Sequence, residues 1–305
     1  MMAHRPVPSG YASRAYAESL SGFGEILHLP RCGGYLLKRK IPGTTEHDAM
    51  GCYPLFFCGN WTLLEADLAE LPEELVSVAL VADPFGDYST ELLESAFDVV
   101  NPYRVHYIVD LEQPIGEIGS RHHRREARKA LEKVRVEVCR NPVGFSKDWI
   151  KLYQALAKRH GIRGIRAFSA RAFEQQLGMP GIVVHHAYCG ERLVGAQLFH
   201  IQGDVVCCHL GAVSELGYET GAFYAMDRFS FELFSGRARK LDLGGGTGLS
   251  SAGDDGLSRY KKGWSTQMRP VYFCGRIINP GRYEALSQPF GPTNYFPVYR
   301  KGEFD

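Results

Sequence analysis

Three consecutive strand-like segments in the second half of the chain constrain its fold more than any other feature. Residues 182–188, 193–201 and 205–210 are rich in apolar residues, and the turns between them carry Gly190-Glu191 and Gly203-Asp204. Apolar segments joined by two residues that include glycine are typical of antiparallel hairpins. The sequence therefore predicts a three-stranded meander over residues 182–210.

Helix and strand patterns alternate on both sides of this meander. The predicted strands are at residues 34–41, 52–58, 75–82, 104–111, 134–139, 240–243 and 270–275. The predicted helices are at residues 63–71, 90–100, 116–133, 148–160, from 169 onward, 221–234 and shortly before 264. Such an order predicts a mixed α/β layer structure.

Composition limits the class of protein. The 305 residues are 45% hydrophobic and 23% charged, with a formal net charge of +1. This balance supports a substantial core and argues against a nucleic-acid coat or a strongly charged membrane-surface protein. No apolar run approaches the roughly 18–20 residues that span a bilayer, and the N-terminus lacks a secretory signal. The eight cysteines form no C-x-x-C pair, so we expect a reduced, cytoplasmic protein without a metal.

A glycine run at the end of an apolar strand is the strongest candidate for a functional site. The strand at residues 240–243 leads into three glycines: Gly244, Gly245 and Gly246. Glycines let a backbone approach a ligand where any side chain would block it. A polar, glycine-rich loop then leads to Lys261, a cation of the kind that holds developing negative charge in acyl- and phosphoryl-transfer sites. A flexible surface loop is the alternative interpretation.

Three motifs, together with the order of the elements, resemble the Fem-like, double-domain branch of the GNAT acyltransferase superfamily. The basic helix and strand RREARKALEKVRVEV resemble that branch's R-x-x-x-R-x-A helix and supply Arg124 and Arg128. The hairpin over residues 190–196 resembles a hairpin of the family's meander. The segment GLSRYKKGW resembles the family's aromatic-lysine element, with Tyr260 and Lys261 at the matching positions.

The resemblance covers about residues 104–275 and implies a fold of two tandem GNAT-like domains. It implies a divergent N-terminal domain over residues 21–112 and a complete acyltransferase domain over residues 113–285. Residues 1–20 are then expected to be a loose arm, and residues 286–305 a C-terminal tail.

The resemblance leaves the acyl donor open. In single-domain GNAT enzymes, backbone amides at a helix start hold the coenzyme A pyrophosphate, and the matching positions here are Gly221 and Ala222. No suitable basic or amide residue precedes Gly221, and Glu215 and Glu219 would repel phosphates. We expect no tightly bound cofactor and a donor that is acetyl- or acyl-coenzyme A or, alternatively, an aminoacyl-tRNA, although tRNA is not favoured.

Acyl transfer to an amine needs a deprotonated amine, a held carbonyl and a stabilised oxyanion, and the motifs suggest residues for these tasks. Lys261 is the candidate for the oxyanion, and Tyr260 is expected to pack beside it and set its direction. Asp242 is a candidate for orienting the acceptor amine, with a loop hydrogen bond as the alternative.

The general base is less clear from the sequence. His209 is a candidate, with a hydrogen-bonded strand histidine as the alternative. Tyr218 and Tyr224 are candidates for lining an acceptor groove. On the basic helix, Arg124 and Arg128 lie one turn apart and are candidates for contacting a phosphate of a nucleotide-linked acceptor or of tRNA, with a structural, inter-domain role as the alternative.

The sequence as a whole predicts an N-acyltransferase acting on an amine of a cell-envelope, polysaccharide or peptide precursor. The first alternative is a catalytically inactive binding or scaffold protein that keeps the fold. A nucleic-acid binding module is a weaker alternative, because the net charge is near zero and no aromatic ladder accompanies the cations.

Overall fold

The computed structural model describes residues 9–246 and 255–303. The glycine-rich loop predicted after Gly246 therefore lies largely outside the described residues. The chain divides into two compact units. The first comprises Met1–Tyr103, Arg163–Phe168 and Val271–Asp305, and the second comprises Arg104–Ile162 and Ser169–Pro270.

The described residues contain eleven strands and ten α-helices. The strands are β1 (Glu25–Leu29), β2 (Gly34–Lys40), β3 (His47–Gly51), β4 (Leu75–Val81), β5 (Val99–Asp110), β6 (Arg135–Val138), β7 (Ile182–Cys189), β8 (Arg192–Gln202), β9 (Val205–Val213), β10 (Lys240–Asp242) and β11 (Gln267–Ile277). The helices are α1 (Arg14–Ser19), α2 (Leu64–Ala69), α3 (Thr90–Ala96), α4 (Arg121–Leu131), α5 (Ser146–His160), α6 (Ala170–Leu177), α7 (Glu215–Thr220), α8 (Ala222–Phe234), α9 (Gly256–Trp264) and α10 (Pro280–Ser287). No helix in the described part of the chain is both long and apolar enough to cross a membrane.

The first unit is built on a mixed sheet. Its strands hydrogen-bond in the order β1-β2-β3-β4-β11, and β3 and β4 run parallel whereas the other pairs are antiparallel. The prediction of a strand over residues 52–58 is wrong, because this segment makes only one isolated bridge, between Phe56 and Ala82. The helix predicted over residues 90–100 ends at Ala96, since β5 begins at Val99.

The two ends of the described chain belong to the packed body of the first unit. Residues 9–20 were expected to be loose, but α1 buries Tyr16 and Leu20 completely, and the Tyr16 hydroxyl donates a 2.6 Å hydrogen bond to the Tyr53 carbonyl. At the other end, the guanidinium of Arg300 donates to the buried carboxylate of Asp48, with an Nη2–Oδ1 distance of 2.7 Å. Apolar packing near residue 16 and a buried ion pair at Arg300 therefore hold the two ends of the described chain in place.

The second unit contains the predicted meander. Its strands hydrogen-bond in the order β5-β10-β9-β8-β7-β6, and β7, β8 and β9 are antiparallel neighbours, which confirms the meander. β10 pairs antiparallel with β5 and parallel with β9. The predicted helices over residues 148–160 and 221–234 are confirmed as α5 and α8.

The core of the second unit fixes the helices that carry the candidate site. One cluster joins strands and helices around two completely buried rings, those of Phe231 in α8 and Trp264 in α9. A second cluster packs Ala130 of α4 against Ala222 and Met226 of α8. Burial of such side chains stabilises the folded state by roughly 1.5–3 kcal/mol for each large one, so α4, α8 and α9 are held against one face of the sheet.

Candidate active site

Two parallel strands of the second unit separate at their carboxyl ends. β9 and β10 share three residue pairs, the last between Cys207 and Asp242. Beyond this pair β9 continues to Val213, whereas Leu243 turns toward β5 and its N–H donates to the Tyr107 carbonyl at 2.9 Å. The carboxyl ends of parallel strands are common ligand sites in α/β proteins. The glycine run begins where the strands part.

The glycines after β10 allow a close approach of helix α9. A Cβ atom on Gly246 would lie 1.9 Å from Oγ of Ser258, and a Cβ on Gly244 would lie 3.2 Å from Nζ of Lys261. Gly244 also has a φ of +77°, a conformation that favours glycine. Helix α9 starts at this point because the side chain of Asp255 accepts hydrogen bonds from the first backbone N–H groups. The glycine run thus brings α9 against the end of β10.

The side chain of Lys261 lies over the glycine run. Its Nζ donates a 2.6 Å hydrogen bond to the Gly245 carbonyl. Burial lowers the pKa of Lys261, and the nearby groups Cys208, Asp242 and Asp227 oppose that effect. The ammonium is therefore partly removed from water and held by a backbone oxygen, with donor capacity left for a further acceptor.

A buried hydrogen-bond network fixes the residue before this lysine. The Tyr260 hydroxyl donates to Asp227 of α8 at 2.5 Å and accepts from the indole N–H of Trp264 at 3.2 Å. The Gln197 amide of β8 donates to the other Asp227 oxygen at 2.7 Å. Burial raises the pKa of Asp227, whereas these two hydrogen bonds lower it. These hydrogen bonds of Tyr260 hold α9 against α8.

Asp227 was missed by the sequence analysis, although a signal for it exists. It is almost fully buried, and it lies four residues after Phe223 and four before Phe231 on the same helix. Residues at this spacing share one helical face. A carboxylate on an apolar face indicates a buried polar partner, and here that partner is Tyr260.

A second contact holds α9 against α4. His123 Nε2 lies 2.9 Å from the Tyr260 carbonyl oxygen, and its Nδ1 lies 2.9 Å from Ser120 Oγ. A carbonyl can only accept, so Nε2 carries the hydrogen and the Ser120 hydroxyl donates to Nδ1. A Cβ on Gly263 would lie within 2.4 Å of three atoms of the His123 ring, which shows how closely the two helices approach.

Asp242 has two partners at the end of β10. Its Oδ1 accepts a 2.7 Å hydrogen bond from the Gly244 N–H, which is the loop contact considered as the alternative role. Its Oδ2 lies 2.8 Å from Nδ1 of His106 on β5. Both side chains are buried, with 7% of His106 and 3% of Asp242 exposed. His106 was not singled out from the sequence, since nothing local indicates a partner 136 positions away.

His209 lies on β9, and its side chain contacts helix α6. Its Nε2 lies 3.2 Å from the Gln176 side-chain oxygen of α6, and its ring is 5.0 Å from that of His200. Between the pairs Leu198–Leu210 and Phe199–Cys208, strand β9 has one extra residue, His209. Burial lowers the pKa of His209 well below its ordinary value. The structure brings His209 to α6 rather than to Lys261, so it is not retained in the proposed catalytic set.

The predicted groove and cofactor residues lie around the junction of α7 and α8. Tyr218 is exposed and stacks under the guanidinium of Arg159, 4.3 Å from the ring centroid, whereas Tyr224 packs beside Tyr260 with ring centroids 5.0 Å apart. The N–H of Gly221 bonds to the Tyr218 carbonyl at 3.2 Å, and Ala222 is completely buried. The Gly221 amide is therefore used to end α7.

Arg124 and Arg128 line a cavity of about 350 Å³ between α4 and α8. Arg228 and Glu232 of α8 complete its charged wall. The Arg124 guanidinium is anchored on the Gly119 carbonyl at 2.6 Å, and that of Arg228 donates to Glu232 and to a backbone carbonyl, each at 2.9 Å. Three arginines and one carboxylate give this cavity a net positive charge.

Comparisons with known proteins include the region that carries the candidate site. Residues 119–262 match a family model described as acetyltransferase (GNAT) domain. The fold is similar to that of the crystal structure of FemX, with a TM-score of 0.65 at 15% identity over 90% of this chain and 93% of that chain. It is also similar to the C-terminal domain of a putative lysylphosphatidylglycerol synthetase from Agrobacterium fabrum, with a TM-score of 0.63 at 12% identity over 90% and 88%. The structure of L-PGS from Bacillus licheniformis gives a TM-score of 0.57 at 13% identity over 86% and 90%. No curated protein is significantly similar in sequence.

The family model concerns residues 119–262, whereas the similar solved structures concern the fold of the chain. The likenesses to solved structures, at 15% identity or less, describe the fold, and they confirm the expected mixed α/β architecture. The matched model covers α4 to α9 and includes Lys261. Residues 119–262 therefore match the GNAT acetyltransferase domain model, and the fold of the chain is similar to that of FemX.

Proposed function

We propose that this protein is an N-acyltransferase that moves an acetyl or aminoacyl group onto an amine of a cell-envelope, polysaccharide or peptide precursor. In this proposal Lys261 stabilises the negative charge that develops on the carbonyl oxygen of the acyl group. The observation that carries the proposal is the 2.6 Å hydrogen bond from Lys261 Nζ to the Gly245 carbonyl, because it fixes a partly desolvated cation where β9 and β10 separate.

The chemistry of acyl transfer explains why such a cation is useful. Attack of an amine converts a planar carbonyl into a tetrahedral intermediate with a negatively charged oxygen. A fixed donor aimed at that oxygen, in a site with little water, contributes about 3–4 kcal/mol to lowering the barrier. The Tyr260–Asp227 contact fixes α9 before substrate binds, so little reorganisation is needed during the reaction.

The arginine cavity supports a second part of the proposal, in which Arg124 and Arg128 bind a phosphate carried by one of the substrates. The Arg128 side chain makes no hydrogen bond or ion pair with another residue in the described part of the chain, so its planar guanidinium is available for a bidentate contact. The donor remains acetyl- or acyl-coenzyme A or, alternatively, an aminoacyl-tRNA.

Two neighbouring lysines of α9 test the proposal. Wild-type protein, Lys261→Met and Lys262→Met are assayed for acyl transfer from acetyl-coenzyme A and from aminoacyl-tRNA to a panel of amines. We expect Lys261→Met to lower kcat by about 10²–10³-fold, whereas Lys262→Met, which removes an exposed charge one residue away, changes kcat by less than about twofold. Equal activity of the two variants would refute the role of Lys261, and a wild-type protein without turnover would favour the scaffold alternative.

A further inference from the structure

The pair formed by His106 and Asp242 has a defined protonation pattern. The Asp242 carboxylate accepts at both oxygens, from the Gly244 N–H at 2.7 Å and from His106 Nδ1 at 2.8 Å. A carboxylate oxygen has no hydrogen to give, so Nδ1 of His106 is the protonated nitrogen. In a neutral imidazole the lone pair then lies on Nε2, the nitrogen that points away from Asp242.

This pair lies beside Lys261. His106 directly precedes Tyr107, whose backbone groups bond to Leu243 and Gly244 at 2.9 and 3.2 Å. The next glycine, Gly245, accepts the hydrogen bond from Lys261. Asp242 also interacts electrostatically with Lys261. An imidazole and the carboxylate that orients it therefore lie at the end of β10, where α9 brings Lys261 to the Gly245 carbonyl.

We propose that His106 is the general base that takes a proton from the acceptor amine, and that Asp242 is the positioning residue that holds its ring. This inference rests on the proposed acyl transfer and deepens it. The amine nitrogen forms a bond to the carbonyl carbon while the carbonyl electron pair moves to the oxygen, near Lys261. His106 Nε2 takes one proton from that nitrogen. The oxygen electron pair then returns, the bond from carbon to the donor's leaving atom breaks, and the leaving atom takes its electron pair and the proton from His106.

The other titratable groups of the site are less suited to this step. Asp227 already accepts from Tyr260 and Gln197, so its oxygens are engaged in holding α9. The His209 ring is paired with the Gln176 side chain of α6. Lys261 is hydrogen-bonded to Gly245 as a donor, a role that requires it to keep its hydrogens. The arrangement of base and orienting carboxylate follows the general logic of base catalysis by histidine.

The first experiment compares two acceptors. The nitrogen of hydroxylamine is less basic than that of an alkylamine, so once it bonds to the carbonyl carbon it gives its proton to water more readily and depends less on a protein base. We expect His106→Gln to lower kcat with an alkylamine by about 100-fold or more and to lower it far less with hydroxylamine. His122→Gln, on the exposed surface of α4, is the matched control. Added imidazole should partly restore alkylamine transfer by His106→Ala. Equal losses with both acceptors, or no loss, would overturn the assignment while leaving acyl transfer itself intact.

The second experiment does not depend on turnover. Diethyl pyrocarbonate acylates an accessible imidazole lone pair, and mass spectrometry locates the modified histidine. We expect His106 to be modified in the native protein, and ¹⁵N NMR to show its hydrogen on Nδ1 in the wild type but not in Asp242→Ala. A His106 that resists the reagent, or that carries its hydrogen on Nε2, would refute the inference even if the wild-type protein showed no transferase activity.

Discussion

Replacing Tyr260 with phenylalanine tests the network that holds α9 in place. The substitution keeps the ring and removes one hydroxyl, which donates to Asp227 at 2.5 Å and accepts from Trp264 at 3.2 Å. Loss of a hydrogen bond to an ionised group costs about 1.5–3 kcal/mol, and loss of a neutral one costs about 1 kcal/mol. We therefore expect Tyr260→Phe to lower the free energy of unfolding by roughly 2.5–4 kcal/mol at a pH where Asp227 is ionised.

The size of this effect should depend on pH. Burial raises the pKa of Asp227 in the folded protein. Below that pKa the carboxyl is protonated, and the lost contact is a neutral hydrogen bond worth about 0.5–1.5 kcal/mol. The difference between wild type and Tyr260→Phe should therefore be smaller at acid pH and grow as the pH rises through the pKa of Asp227.

Urea denaturation over a series of pH values from acid to alkaline measures both quantities. The matched control is Tyr224→Phe, because Tyr224 packs against Tyr260 but its hydroxyl makes no hydrogen bond to another described residue. The control should cost less than about 0.5 kcal/mol. A Tyr260→Phe variant as stable as this control, or a loss that shrinks with rising pH, would refute the reasoning about the network.

Three further predictions concern the same unit. Lys261→Met should raise the free energy of unfolding at pH 7, because burial lowers the pKa of the lysine in the folded protein. This gain in stability should shrink as the pH rises toward about 10.4, where the lysine of the unfolded chain also loses its proton. In calorimetric titration with inorganic pyrophosphate, Arg128→Gln should weaken binding by about tenfold or more. Arg125→Gln, on the same helix but outside the cavity, should have little effect on binding. Equal losses of affinity in the two variants would indicate a general charge effect. Gly263→Ala should destabilise the protein by about 1–3 kcal/mol, since the added methyl group would lie 1.9 Å from a histidine ring of α4. Gly256→Ala should not destabilise the protein, because no atom lies within 4 Å of the added carbon. Thermal unfolding of the two variants measures the difference.

Local patterns were sufficient for much of the second unit. The meander was predictable because short connections join its strands, and α8 and β10 were predictable from the apolar residues over 221–234 and 240–243. The glycine run was correctly identified as a place of close approach, but helix α9 approaches it. A sequence cannot tell which partner, ligand or helix, will occupy the space that glycines leave open.

The parts that could not be predicted depend on long-range register. His106 meets Asp242 because β5 and β10 pair antiparallel with Asp242 opposite Ile108, and no local pattern specifies that register. His209 was a candidate for the general base, and the extra residue in β9 interrupts the alternation of the strand at this position. Residues 9–20 were expected to be loose, but the Tyr16 hydroxyl bonds to the carbonyl of the distant Tyr53.

Direct titration of the Lys261 ammonium tests the central claim, that this cation is partly desolvated and held over the glycine run. Heteronuclear NMR of ¹³C,¹⁵N-lysine-labelled protein follows the side-chain resonance with pH, and the spectrum of Lys261→Met assigns it. The account predicts a pKa below the ordinary lysine value of about 10.4, together with slow exchange of the Nζ hydrogens. A pKa at or above that value, with hydrogens that exchange as fast as those of a surface lysine, would contradict it.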